Sequence, residues 1–151
     1  MPLILALVGI SIIVVLAVMA HRLQRQVALA EQAKVEQQQQ YELEQNKKRD
    51  SMNKSIQVLA QGLKEEQLTD TEAAIRISVL LEFLGVDEHV REDYSVFFQL
   101  AEATAHIPML DKWKQLSTKD KLKYDAERQA IESKYKDFIQ DAAQRIIGQQ
   151  F

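Results

Sequence analysis

Residues Leu3 to Ala20, LILALVGISIIVVLAVMA, form an unbroken stretch of 18 residues without a charge. As a helix rising about 1.5 Å per residue, the stretch spans about 27 Å, enough to cross a bilayer core. Arg22 and Arg25 follow at once, and by the positive-inside bias they place the carboxyl side in the cytoplasm. A cleavable signal peptide is the rival reading, since Val18-Met19-Ala20 resembles a cleavage site. That reading wants a positive segment before the apolar core, and only Met1 and Pro2 stand there. A transmembrane anchor over 1–20 is therefore expected, with cleavage after Ala20 as the alternative. The stretch lacks Gly-x-x-x-Gly spacing and ionisable residues, so it reads as a single lipid-facing span without an ion or proton path.

The rest of the chain differs in kind. Of positions 1–20, 17 are apolar; of 21–50, only 9; of 51–151, 44, with nine of the ten aromatics in that last part. Anchor, polar stalk and one modest core are thus joined in series, and the chain is too short for a large multidomain enzyme. Residues 21–50 hold no Pro or Gly and many Gln, Glu, Lys and Ala, a composition that favours continuous helix. The best heptad register, Leu23, Val27, Ala30, Lys34, Gln37, Tyr41 and Glu44, has four apolar positions in seven. Such a seam suits a solvated spacer or a weak homodimer better than a stable coiled coil.

From Ser51 the punctuation is that of a helical domain. Ile56, Leu59 and Leu63 carry a first helix to about Glu66. Thr69 and Glu72 have capping-box spacing before a helix over 70–84, and Gly85 supplies its left-handed stop. Its face is Ala73, Ile77, Leu80, Leu81 and Leu84, with Val79 and Phe83 among the residues broadening it. Asp87 caps a third helix running to about His106, with Pro108 behind it. Ser117 or Thr118 opens the last helix, to about Ile147, along a seam of Tyr124, Arg128, Ile131, Tyr135, Phe138, Ala142 and Arg145 with Ile139 and Ile146 alongside. The expected fold class is all-α: an N-terminal transmembrane helix over 1–20, a helical, coiled-coil-like stalk over 21–50, and a four-helix-type bundle over 51–151.

Charge is segregated. Residues 65–102 hold ten acids and two arginines, while residues 111–136 hold eight bases and five acids. The simplest account is that the two regions pack together and neutralise each other. A sharper one makes Lys112, Lys114, Lys119, Lys121 and Lys123 an interaction patch for anionic headgroups or an acidic partner.

Composition closes several routes to catalysis. With no cysteine there is no disulfide, thiolate nucleophile or Cys-ligated zinc. Four scattered glycines make no phosphate loop, and a net charge of −3 argues against nucleic-acid binding. No Gly-x-Ser-x-Gly elbow or credible His-Asp partner set supports acyl transfer. Glu102 and His106 fall at i,i+4 and Glu82 could approach them, but the repeated inward Glu-x-x-His pairs of a di-metal bundle are absent. Structural roles for the histidines are favoured, and no cofactor or metal is expected. Trp113, Tyr124 and Tyr135 read as core aromatics first.

Three segments carry a resemblance: LTDTEAAIRISVLLEFL from Leu68, FQLAEATAHIPMLDKW from Phe98, and Tyr124-Asp125-Ala126-Glu127-Arg128. Together they resemble a family of small gammaproteobacterial proteins with one amino-terminal span and a helical cytoplasmic domain of unknown function. The likeness implies a bacterial inner-membrane setting and supplies no activity or site residue. The resulting expectation is a non-enzymatic inner-membrane protein with a periplasmic amino terminus, whose cytoplasmic head acts as a scaffold or adaptor for a protein partner. A membrane-surface enzyme, or a small-ligand or metal-binding protein, is the alternative.

Overall fold

The computed structural model describes residues 2–151, except for the side chains of residues 2–18, 20, 23–30 and 33. The described residues form six helices: α1 (Pro2–Lys64), α2 (Asp70–Leu84), α3 (Glu88–Asp93), α4 (Ser95–Thr104), α5 (Leu110–Lys114) and α6 (Thr118–Ile146). No strand occurs among the described residues, so the protein is all-α. The side chains on which the anchor expectation rests lie outside that description. Among the described residues, no helix is long and apolar enough to cross a membrane.

The chain divides into two compact units, 1–46 and 47–151. In the first, Val35, Tyr41 and Leu43 are exposed. In the second, one apolar core draws on four helices. Ile56, Leu59, Ala60 and Leu63 come from the end of α1, and Ala73, Ala74, Ile77, Leu81 and Leu84 from α2. Phe97 and Leu100 come from α4, and Ile139, Ala142, Ala143 and Ile146 from α6. Alanines sit fully buried on three of these helices, and such small residues let helix axes approach closely.

Most helix boundaries follow local chemistry. The Thr69 hydroxyl accepts the Glu72 N–H at 3.2 Å, Asp87 accepts that of Val90 at 2.9 Å and Ser117 that of Asp120 at 3.1 Å, so each satisfies a donor that a helix start leaves orphaned. The Thr69–Glu72 box is only half made, because the Glu72 carboxylate turns to Arg76 at 3.3 Å. Gly85 ends α2 at φ 63°, and the Val86 N–H reaches back to the Leu81 carbonyl.

Ser51, where the helical head is expected to begin, lies inside α1, which ends at Lys64, two residues before the expected Glu66. Three expectations need correction. The third helix is two, because Tyr94 leaves helical geometry at φ −113°, ψ 21°, and its buried ring stacks against Phe97 and meets Phe151 edge-on. On α2, Val79 and Phe83 are exposed. On α6, Phe138 is 67% exposed while its neighbour Ile139 is fully buried. A strict 3.5-residue seam drifts by about 20° per heptad around a straight helix, and over 29 residues that drift carries Phe138 out of the interface.

The carboxyl-terminal residues fold back onto α1. The buried Asn53 amide donates to the Phe151 oxygen at 2.8 Å and accepts the Phe151 N–H at 2.9 Å. One turn on, Gln57 donates to the Ile146 and Gln149 carbonyls and accepts the Gly148 N–H at 2.7 Å. These two side chains satisfy backbone groups that the end of α6 would otherwise leave open.

Candidate functional site

The first turn of α2 is held from two directions. Besides its own Thr69 cap, the Thr71 N–H donates to the Glu132 carboxylate of α6 at 3.1 Å. Asp70, in the same turn, has its carboxyl held above the ordinary 3.8 by burial and by the neighbouring Glu132 charge, with Lys136 pulling the other way. One turn before Glu132, the Arg128 guanidinium donates through Nη2 to Asp125 at 2.7 Å. Its Nε lies 4.0 Å from Glu132, too far for a hydrogen bond.

Two buried polar atoms therefore lack a partner, Arg128 Nε and Thr71 Oγ1, and among the described residues they are the only such side-chain atoms. Leaving a buried polar group unpaired costs about 1–3 kcal/mol, and the two residues line the same cavity, of about 380 Å³. Ile75, Ile107, Pro108, Leu110 and Trp113 give it an apolar wall. Leu110 is 84% exposed and takes φ 54°, a left-handed conformation that a branched side chain adopts only under constraint.

A wider groove of about 610 Å³ runs between α1 and α2, with Val58, Val79, Lys54 and Arg76 on its walls. No unpartnered buried polar atom lines it. The 380 Å³ cavity is the better candidate site of the two, because its apolar wall is joined by polar residues from both α2 and α6, Thr71, Glu72 and Arg128.

The residues singled out in the sequence fall elsewhere or are rearranged. Two of Glu82, Glu102 and His106 pair with residues outside that trio. Glu82 faces Arg91 at 3.9 Å, and the His106 ring meets Glu127 of α6 at 2.9 Å. Because α4 ends at Thr104, His106 lies beyond the helix and the i,i+4 geometry with Glu102 does not apply. The pair with Glu127 pins the α4–α5 turn to α6. Among the described residues, no group of three or more His, Asp or Glu side chains is arranged to hold a metal ion.

Lys112 and Lys114 lie on α5, and Lys119, Lys121 and Lys123 on the first turns of α6. Lys114 pairs with Asp111 at 2.9 Å. Neutralisation between the acidic and basic regions is not made by direct contact, since among the described residues no acid of 65–102 lies within salt-bridge distance of a base of 111–136. Of the three aromatics, Trp113 lines the cavity.

Arg128 and Thr71 carry no motif that marks a site. The only advance signal was the clustering of the quoted segments, from Leu68, from Phe98 and at 124–128, all of which contribute to the cavity. No curated protein and no solved structure matches the chain significantly. A family model matches residues 13–146, across the α2 cap, the Trp113 wall and Arg128 alike. The chain belongs to that family, described as a protein family of unknown function, DUF2489.

Proposed function

We propose that the protein is a membrane-tethered binding module, in which a bundle of helices serves as an adaptor for a protein partner and does not turn over a substrate. The observation that carries the binding part is the cavity beside α2, where Thr71 and Arg128 stand beside an apolar wall. A guanidinium offers donors in a fixed fork and a hydroxyl one donor, a pairing that suits recognition.

The tether is supported by the uncharged stretch 3–20 and by Arg22 and Arg25 after it. In this reading the chain crosses a bacterial inner membrane once, amino terminus outside, and the polar part of α1 serves as the stalk. The Lys112–Lys123 cluster is then a basic surface of the head for an acidic partner.

A reporter active only after export, carried at the carboxyl end, should stay dark, while a cytoplasmic fluorescent reporter at the same place should glow. A lit export reporter would overturn the topology. Intact-mass measurement then separates a periplasmic protein cleaved after Ala20 from an anchored one.

A further inference from the structure

We infer that the groove between α1 and α2 is a self-association surface, on which a second copy of this chain lays its own α1 parallel and in register. The inference goes beyond the adaptor reading and rests neither on the membrane anchor nor on the cavity beside α2.

Spacing points to the occupant. The four-three register that takes in Tyr41 and Glu44 continues through the sequence to Lys48, Ser51, Ser55 and Val58. Such a seven-residue repeat stays on one face only where helices wind around each other, and in a parallel pair it sets each residue beside its own copy. On α6 the same spacing loses its face by Phe138. On α1 it keeps it within the head: Ser51, Ser55 and Val58 all line the groove and all are exposed. The opposite face of this part of α1, with Ile56, Ala60 and Leu63, is already taken up by the core.

The side chains suit a helix as the occupant. Ser51 and Ser55 are small and let a second helix axis come close. The Ser55 hydroxyl donates to the Ser51 carbonyl at 2.9 Å, so covering it leaves no donor unmet. The seam alone is poor in apolar residues, and α2 supplies what it lacks. Val79 stands on the groove wall, and Phe83, one turn further along the same face, is 76% exposed. Exposed apolar side chains gathered in this way mark an interaction surface. Charge gives an acidic partner little to hold. Arg76 is paired with Glu72 at 3.3 Å, which leaves Lys54 as the only cation on the walls without an ion pair among the described residues. Lys54 flanks the seam, where its aliphatic stem covers the edge of a helix pair while the ammonium stays in water.

The chain has no cysteine, so a single introduced thiol reports on its own position alone. Full-length Ser51→Cys, Ser55→Cys and Val58→Cys are oxidised separately in intact cells at low expression. A parallel pair brings like residues of its seam within the about 7 Å between Cα atoms that a disulfide can span, so all three should give disulfide-linked dimers. Asp50→Cys is equally exposed but turned away from the seam, and it should stay monomeric. Val58→Lys, added to Ser55→Cys, sets like charges face to face and should reduce the dimer several-fold. Val58 is 63% exposed, so this change should leave the melting temperature of the head where it was.

Equal cross-linking of Asp50→Cys overturns the inference, since it would report random collision. A dimer at only one of the three seam positions overturns the parallel register, because antiparallel helices bring like residues together at one level only. No dimer at any of them overturns the second copy as occupant while the adaptor reading stands. An undiminished dimer with Val58→Lys overturns the groove as the surface of contact.

Discussion

Two residues past the end of α1, Glu66 takes a left-handed conformation, φ 56°, with the Gln67 N–H bonded to the Gly62 carbonyl at 2.8 Å. This is the position at which helices ordinarily place glycine. Glu66→Gly should therefore stabilise the head by about 0.5–1 kcal/mol, the left-handed strain relieved less the entropy a glycine adds to the unfolded chain, as read by chemical denaturation. Asp70 works on a different principle. Its carboxyl is raised by burial and by Glu132, so the fold prefers the protonated form. Stability from this group rises as pH falls through its raised value and levels off below the ordinary 3.8. Asp70→Asn should be the more stable at neutral pH and should lose that acid-side gain, measured as melting temperature against pH.

At the scale of elements, α6 shows how far periodicity reaches and where it stops. Ile139 and Phe138 are neighbours in sequence, yet one is fully buried and the other mostly exposed. Ile139→Ala should cost about 2–5 kcal/mol and Phe138→Ala no more than about 0.5 kcal/mol; similar losses from the two would mean that the buried face is misassigned. The caps at Thr69, Asp87 and Ser117 and the stop at Gly85 were legible because each acts within four residues of itself. The break at Tyr94 was not, since it depends on a ring packed against Phe97 and against Phe151, far along the chain. The end of α1 was legible to within two residues, although glutamate in a glycine's place gives no sharp stop. The candidate cavity was the least legible feature. Thr71 and Arg128 look like an ordinary helix-start residue and a seam residue until the fold sets both on one cavity wall.

For the whole molecule, the head is a single core closed by polar side chains at one end. Asn53→Ala removes a buried amide that holds the Phe151 backbone through both its donor and its acceptor, and should cost about 1–3 kcal/mol. Hydrogen exchange should report the loss as faster exchange at the Phe151 amide, with the α2 cap unaffected. The same clasp bears on how the protein can be handled. Residues 148–151 are held by α1 through Asn53 and Gln57 and are not a loose tail, so a bait or affinity handle joined directly to Phe151 would load the contact that seals α1 to the end of α6. Partner searches belong on a handle set off by a flexible spacer, with the Phe151 amide as the internal check that the seal is intact.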